Sequence, residues 1–325
     1  MRHFFLLAAS AALTACSPPE PVAPADLADP VEGTTLPAIE DADDGAAAAA
    51  APGTDIHVFQ LDWTGDTPAL GRQLMATARP GYDNQPFFVP GEDALLYTSD
   101  DETGETDIWR LDLASGARTN ITNTPGESEY SPRIAPDGSS LSYIFQPPGG
   151  YAGNVYLAGP DNSDRGAAEA LAPVGYYAFS GDMGHVAVFA LGEPNTLQLI
   201  DRQADPETVI HIADEPGRSL FMTPRGNAIY YVLTDESGHA VIHVLDVNTA
   251  STSEMFQLPD GTEDFAIALL PTDAVAFFAN ENGQLVFRHN DGWESIGDLA
   301  GAGLTGITRI AVSSDLSRIA IVAEE

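Results

Sequence analysis

One pattern recurs along most of the chain and constrains its fold more than any other feature. A short turn rich in Pro, Asp and Gly is followed each time by strands of alternating apolar residues. The turn is centred at six positions spaced 46, 45, 43, 47 and 43 residues apart, namely Pro90, Pro136, Gly181, Pro224, Pro271 and Ser314. Period-two strands between such close turns predict antiparallel sheet, and a four-stranded repeat of about 45 residues is typical of a propeller blade. We therefore expect an all-β, six-bladed β-propeller of four-stranded antiparallel blades.

The sixth repeat contains only two strands, so two further strands are needed to complete its blade. Residues 56–62 repeat the third-strand pattern of residues 108–112, and residues 71–74 repeat the outer-strand pattern of residues 118–121. Placing these N-terminal strands beside residues 319–322 would remove an open sheet edge, which otherwise invites aggregation. The pattern predicts one propeller over residues 54–325, with two C-terminal and two N-terminal strands in its last blade.

The best-preserved repeats carry specific motifs. One reads Ala-Pro-Asp-Gly at residues 135–138, and another reads Asp-Ile-Trp-Arg-Leu-Asp at residues 107–112. In such a turn Pro fixes φ, Asp bonds the local backbone and Gly accepts a positive φ. These motifs resemble the repeat of TolB-type β-propellers, which also occurs in the propellers of prolyl peptidases. The resemblance covers about residues 81–325, and it implies a disc that binds proteins of the bacterial envelope.

The charge of the chain excludes several classes of function. All 13 basic residues are Arg, against 48 acidic residues, which gives a formal net charge of −35. The absence of Lys excludes Schiff-base chemistry and a P-loop. So acidic a chain repels phosphate, and we expect no binding to nucleic acid or to an anionic membrane surface. Residues 54–325 keep 40 acidic residues and 12 Arg spread over all blades, a distribution that favours solubility over a dedicated cationic partner.

The first sixteen residues have the organisation of an export signal. Arg2 precedes an apolar run over residues 4–12 that is too short to span a bilayer. The segment ends Leu-Thr-Ala-Cys, which resembles the lipobox of bacterial lipoproteins. That resemblance implies that residues 1–15 are removed and that Cys16 carries lipid, and neutral Ser17 implies transfer to the outer membrane, facing the periplasm. An ordinary signal peptide with an incidental Cys is the alternative.

A compositionally distinct segment separates this signal from the first strand. Residues 17–53 contain seven Pro, eleven Ala, eight acidic residues and no basic residue. With so little apolar surface to bury, the segment cannot offset the entropy of ordering. We predict that residues 16–53 comprise the lipidated Cys and a flexible tether.

Candidate metal ligands are few. Asp100, Asp101, Glu102, Glu105 and Asp107 share one loop, but their spacing is not that of a twelve-residue calcium loop. Seven His are scattered along the chain, and the two that lie four residues apart, His239 and His243, are in a strand-like region. For that pair we expect a half-buried strand face rather than a metal site. The Gly-x-Ser-x-Gly motif of serine hydrolases is missing from the sequence.

Three carboxylates and three tryptophans need separate interpretation. Asp83, Glu129 and Asp264 precede inner strands near the expected channel mouth. Six-bladed lactonase-like enzymes hold a metal in such a place, although we expect a solvated acidic rim instead. The three tryptophans are expected to pack between blades, and they are Trp63, Trp109 and Trp293.

Two functions from different classes follow from these observations. The favoured one is a lipid-anchored envelope propeller that acts as a non-catalytic protein-binding scaffold, with an envelope protein as partner and no cofactor or metal. The alternative is a metal-dependent hydrolase or lactonase-like propeller that uses the channel carboxylates. The absence of a recognisable catalytic motif favours the scaffold, and a bound-metal assay would separate the two functions.

Overall fold

The computed structural model describes residues 53–100, 103–149, 153–290 and 292–325. The signal sequence, Cys16 and nearly all of the tether lie outside the described residues, as do Asp101 and Glu102. Every named element of the described part is a β-strand. In that part of the chain no helix has the length and apolar content needed to cross a membrane.

Twenty-four strands are described, and they form six antiparallel sheets of four strands each. In chain order they are β1 (Thr54–Thr64), β2 (Thr67–Ala76), β3 (Asp83–Phe88), β4 (Ala94–Asp100), β5 (Thr106–Asp112), β6 (Arg118–Asn120), β7 (Ser128–Ile134), β8 (Leu141–Gln146), β9 (Asn154–Ala158), β10 (Gly166–Ala167), β11 (Val174–Phe179), β12 (His185–Ala190), β13 (Thr196–Asp201), β14 (Thr208–Asp214), β15 (Phe221–Met222), β16 (Ala228–Thr234), β17 (Ala240–Asp246), β18 (Thr252–Gln257), β19 (Phe265–Leu269), β20 (Val275–Glu281), β21 (Gln284–Arg288), β22 (Glu294–Asp298), β23 (Thr305–Val312) and β24 (Arg318–Glu324).

Each sheet is one blade of a propeller, and we number the blades along the chain. Blades 1 to 5 are β3–β6, β7–β10, β11–β14, β15–β18 and β19–β22, each with consecutive strands paired. Blade 6 has the order β23, β24, β1, β2, so it combines both ends of the described chain. The predicted six-bladed fold and the predicted composition of the last blade are both confirmed.

The closing strand pairs in full register with the last strand. Thr54 lies opposite Glu324, and Val58 lies opposite Ala320. At the start of β1 the Thr54 amide donates to the carbonyl of Gly81 at 2.9 Å. We call this side of the disc, where β1 begins and β24 ends, the closure face. The opposite side carries the turns between first and second strands, and we call it the turn face.

A local hydrogen-bond motif shows why the N-terminal segment fits blade 6. The Thr77 hydroxyl accepts the Ile56 amide at 2.9 Å and donates to the Asp55 carboxylate at 2.9 Å. Blade 1 repeats this geometry with the same distances at Thr122, Ile108 and Asp107. The N-terminal strands therefore occupy the same environment as the third and fourth strands of a complete blade.

Apolar side chains alternate along the strands and meet between blades. Six buried clusters are present among the described residues, one at each of the six blade interfaces. The closing strand contributes to two of them: Phe59 and Leu61 pack against blade 5, while Ile56 and Val58 pack against blade 1. Burial of both faces of β1 is what joins the ends of the ring.

The tryptophans lie at these interfaces, as predicted. Trp63 of blade 6 meets Phe287 of blade 5 edge-on, with ring centroids 5.9 Å apart. Trp293 of blade 5 contacts Phe256 of blade 4 at 6.1 Å. Trp109 packs against the cluster between blades 6 and 1. Each large ring adds apolar contact between neighbouring blades.

Candidate functional site

The first strands of the blades surround the axis of the disc and enclose a cavity toward the closure face. Its volume is about 240 Å³, and all six blades contribute to its lining. The side chains in the lining that carry polar groups are Gln85, Ser131, Arg133, Tyr176, Arg218, Ser219, Asp264 and Arg309. We call this space the closure-face cavity.

Three of the 12 propeller arginines line this cavity, although the propeller as a whole is strongly acidic. Arg218 pairs with Glu263 at 2.7 Å. Among ion pairs within 4.0 Å formed by the described residues, neither Arg133 nor Arg309 takes part. The cavity therefore concentrates positive charge that the protein itself neutralises only in part.

Arg133 lies between aromatic rings. Its guanidinium carbon is 5.5 Å from the ring centroid of Tyr177 and 5.6 Å from that of Phe221. Its Nη2 donates to the carbonyl of Leu220 at 3.0 Å. Burial lowers the pKa of Arg133, and the positive charge of Arg309 lowers it further. The two guanidinium groups are thus close enough to repel one another.

Arg309 is held by Tyr176. Its Nη2 donates to the Tyr176 hydroxyl at 3.0 Å, and its guanidinium carbon is 5.0 Å from the centre of the same ring. Tyr82 lies nearby: burial raises its pKa to about 12, while the charges of Arg309 and Arg218 oppose that rise. The closure-face end of the channel is therefore a surface of Tyr and Arg side chains.

Asp264 is the acidic side chain of the cavity lining. One carboxylate oxygen accepts the Ser219 hydroxyl at 2.8 Å, and the other accepts the Ile310 amide at 2.9 Å. Burial raises the pKa of Asp264 to about 6, although the nearby Arg309 acts in the opposite direction. Both oxygens are occupied in holding blades 4, 5 and 6 together at the axis.

Asp83 corrects one expectation from the sequence. It is the first residue of β3 and its side chain is fully buried. Its Oδ1 accepts the Ser99 hydroxyl at 2.6 Å and Nε of Arg79 at 2.9 Å. Burial raises the pKa of Asp83 despite these donors. The expected solvated rim is wrong here, because Asp83 is buried and its carboxylate is bonded to Ser99 and Arg79 instead of water.

Glu129 is the second buried carboxyl group, and the solvated-rim expectation is wrong for it too. Its Oε1 accepts the Thr124 hydroxyl at 2.7 Å, while its Oε2 has no hydrogen-bond partner among the described residues. Burial raises the pKa of Glu129 to about 7, and the negative charges of Asp107 and Glu127 add to the rise. Each of the three carboxylates thus accepts hydrogen bonds from neighbouring side chains or backbone.

Within the described residues, no group of three or more His, Cys, Asp or Glu is positioned to hold a metal ion.

The other candidate ligands also have local roles. His239 lies in the turn before β17, where its amide donates to Asp235 at 2.9 Å, so the expected strand pair with His243 is wrong. His243 is within β17 and its ring lies 5.4 Å from that of Tyr231. Strand β17 begins at Ala240, just after His239, because Asp235 accepts backbone amides of the preceding turn.

The described carboxylates of the acidic loop are hydrogen-bonded within their surroundings. Asp100 accepts Nη2 of Arg79 at 2.7 Å, and Glu105 accepts the Gly126 amide at 2.8 Å. Asp107 accepts the Asn120 amide group at 2.8 Å. These bonds order the loops of blades 1 and 2.

A second cavity adjoins the first toward the turn face. Its volume is about 680 Å³, and its lining is largely apolar, with Val89, Phe179 and Met222 among the contributing residues. Phe87, Arg133 and Phe221 line both cavities, so they form the partition between them. Arg133 therefore lies at the boundary between the two cavities.

The three channel arginines were not singled out from the sequence. Arg133, Arg218 and Arg309 stand three, six and five residues before the turn positions of their repeats. A search for basic residues just before each turn would have found them. The unequal offsets hide the pattern, since the first strands differ in length and contain bulges.

Comparison with solved structures supports the assignment of the fold. The chain is similar to the putative TolB from Agrobacterium tumefaciens, with a TM-score of 0.60 and 14% identity over 85% of this chain and 99% of that chain. The fold is that of a TolB-type propeller. TolB from Acinetobacter baumannii gives a TM-score of 0.52 and 15% identity, covering 84% of this chain and 64% of that chain. A chain of a nidogen/laminin complex gives a TM-score of 0.51 and 13% identity, over 83% of this chain and 98% of that chain.

No protein-family model matches the sequence, and no curated protein matches it. The likeness to TolB-type propellers is therefore one of three-dimensional structure at low sequence identity. Function has to be argued from the residues of the channel rather than from the fold.

Proposed function

We propose that this chain is a lipid-anchored protein of the bacterial cell envelope whose TolB-type propeller is a non-catalytic protein-binding scaffold. In this proposal residues 1–15 are removed on export, Cys16 carries the lipid, and residues 16–53 tether the propeller to the outer membrane on its periplasmic side. Several acyl chains on one Cys give stable anchoring, since each buried methylene contributes about 0.8 kcal/mol.

The chemistry of the closure-face cavity is the observation that carries the scaffold proposal. Its prominent side chains are Arg133, Arg218, Arg309 and Tyr176, and Arg and Tyr are over-represented among residues that dominate binding energies. A metal-dependent hydrolase needs several ligands that converge on one ion. Here Asp264 is bonded on both oxygens, which supports recognition rather than hydrolysis.

The structural likenesses agree with this function. The TolB-type fold supports a protein-binding role by analogy, and one similar chain was solved in a complex of nidogen with laminin. The residue at which the tether joins the propeller, Thr54, lies on the closure face together with Glu324. The cavity mouth and the tether junction thus share one side of the disc, so a partner bound at the mouth would meet the anchored side.

Site-specific photo-cross-linking tests the proposal. A photoreactive amino acid replaces Tyr176 in the full-length lipoprotein, expressed in a bacterial host at native level, and the cross-linked products are identified by mass spectrometry. The matched control places the same amino acid at exposed Thr249, in the turn between β17 and β18 on the turn face. We expect a discrete envelope protein captured from Tyr176 and absent from Thr249. Equal capture from both positions, or no capture from Tyr176, would contradict the proposal.

A further inference from the structure

We infer that the closure-face cavity binds the carboxylate group of an acidic ligand, which Arg309 and Arg133 hold from two sides. This inference goes beyond the scaffold function, because it assigns a ligand class to the channel. Its test uses small probes and needs no protein partner, so it can succeed or fail independently of the scaffold proposal.

The cavity contains more positive than negative charge. Three Arg line it, against one lining carboxylate, Asp264, and one carboxylate paired at the edge, Glu263. One positive charge is left over when both carboxylates are ionised. Withdrawing charge from water without a counter-ion is costly. Arg133 and Arg309 are half-buried, and neither takes part in an ion pair within 4.0 Å among the described residues. A ligand with one negative charge restores the balance.

The hydrogen-bond donors of the cavity also favour a carboxylate ligand. A guanidinium has five N–H donors in a rigid fork that matches a planar carboxylate. Within the described part of the chain, Arg133 gives one hydrogen bond, from Nη2 to the carbonyl of Leu220, and Arg309 gives one, from Nη2 to the Tyr176 hydroxyl. Since the Tyr176 oxygen accepts from Arg309, its own proton can be donated to a ligand. The cavity thus presents several donors to an acceptor placed between the two arginines.

The size of the cavity limits the ligand. A volume of about 240 Å³ is below the range of about 300–1,000 Å³ that drug-sized ligands occupy. It suits the head group of a small acid, or one acidic side chain or terminal carboxylate of a peptide. The adjoining space of about 680 Å³ beyond Phe87 and Phe221 offers apolar surface to the rest of the ligand. A phosphate, with a charge of about −1.5 to −2 at neutral pH, exceeds the charge that the cavity can balance.

Isothermal titration calorimetry on the full-length protein in detergent tests the inference. The probes are 3-phenylpropionate, its neutral amide, inorganic phosphate, and a short peptide ending in Phe-Glu. We expect saturable binding of the carboxylates, with the amide at least about tenfold weaker, because a charged hydrogen-bonded pair is lost. Tighter binding of 3-phenylpropionate would point to a free small acid, and tighter binding of the peptide would point to a segment of a partner protein.

Substitutions locate the site. Arg309→Gln is expected to weaken carboxylate binding about tenfold or more, and Arg309→Lys less, because Lys keeps the charge without the fork. Arg225→Gln is the matched control: Arg225 is exposed in the turn at Pro224, on the turn face, and its loss should leave binding unchanged. Asp264→Asn should tighten binding a few-fold by removing the opposing charge, a gain that misfolding cannot produce.

Several results would overturn the inference. One is that no carboxylate probe binds the wild-type protein saturably. Another is that the neutral amide binds as well as 3-phenylpropionate. A third is that Arg225→Gln weakens binding as much as Arg309→Gln does, or that Asp264→Asn weakens it in a variant that still melts like the wild type.

Discussion

At the residue scale, Glu129 is a carboxyl group that the fold keeps away from water. Its side chain is fully buried, and burial raises its pKa to about 7. In the unfolded chain a Glu titrates near 4.3. Between these values the folded protein holds a proton that the unfolded chain has lost, so stability falls as pH rises through this window and stays reduced above it. Below the window both states are protonated and the group has no effect.

The variant Glu129→Gln tests this linkage. Gln keeps the acceptor for the Thr124 hydroxyl and cannot ionise. The free energy of unfolding is measured by urea denaturation for both proteins at pH 5 and at pH 8. The gain of the variant over the wild type should be larger at pH 8 than at pH 5, by on the order of 2 kcal/mol. Glu236→Gln, at an exposed turn position, should show no such difference. An equal effect of pH on both variants would refute the assignment.

The predicted membrane anchor depends on lipid attached to Cys16. Metabolic labelling with a fatty acid should mark the wild-type protein and leave Cys16→Ser unmarked, because no other Cys is present in the chain. The variant should also remain unprocessed by the lipoprotein pathway, so that residues 1–15 stay attached. A labelled Cys16→Ser protein would show that the lipid is attached elsewhere or that the label is incidental.

Residue environments were harder to predict than residue positions. The sequence placed Asp83 and Glu129 correctly at the starts of first strands, but solvation of those positions depends on how neighbouring loops fold over them, which composition does not reveal. Arg133 and Arg309 are separated by 176 residues in the chain and meet only because the ring closes. Each repeat therefore carries only a weak signal for the site, a basic residue at a variable distance before the turn.

At the element scale, β1 and β2 close the ring, and their removal should open it. Ile56, Val58, Phe59 and Leu61 are each at most 3% exposed, and burial of each contributes about 1.5–3 kcal/mol. The sum, about 6–12 kcal/mol, matches the total stability of a typical domain, about 5–15 kcal/mol. Deleting residues 54–75 should therefore cause unfolding or aggregation from the exposed edge of β24.

Deleting residues 17–50 provides the control, because that segment is similarly N-terminal and, by composition, has little apolar surface to bury. This deletion should leave the melting temperature almost unchanged. In a Cys16→Ser background, Cys substituted at Val58 and Ala320 should form a disulfide, since these residues are register partners and opposed strands bring Cα atoms about 4.5–5.5 Å apart. Ring closure would be contradicted if the protein lacking residues 54–75 melted like the wild type and the Cys pair at Val58 and Ala320 formed no disulfide.

Elements were predictable because they repeat. The match of residues 56–62 to residues 108–112 revealed the third strand of blade 6, and the structure shows that the same Asp, Ile and Thr hydrogen bonds support both strands. The alternating pattern failed where it was interrupted. Blade 4 has a first strand of only two residues, Phe221–Met222, and His239 lies in a turn that Asp235 organises.

At the scale of the whole molecule, we predict that the propeller is stable without a bound metal. Its core is six apolar clusters between blades, and the buried carboxylates Asp83 and Glu129 have local hydrogen-bond donors. Addition of a chelator should leave the melting temperature unchanged in a thermal scan. A fall of more than about 5 °C would indicate a stabilising ion and would favour the hydrolase alternative.

The most direct test of the proposed scaffold function uses the partner protein captured from Tyr176. Its dissociation constant is measured by calorimetry with purified proteins. The comparison is between the full-length wild type, Tyr176→Ala and the turn-face control Thr249→Ala, each checked for wild-type melting. Because aromatic anchors of an interface contribute about 2 kcal/mol or more, Tyr176→Ala should weaken binding about thirtyfold, and Thr249→Ala should not. If the partner binds Tyr176→Ala as tightly as the wild type, the channel mouth is not the binding surface and the proposed function is contradicted.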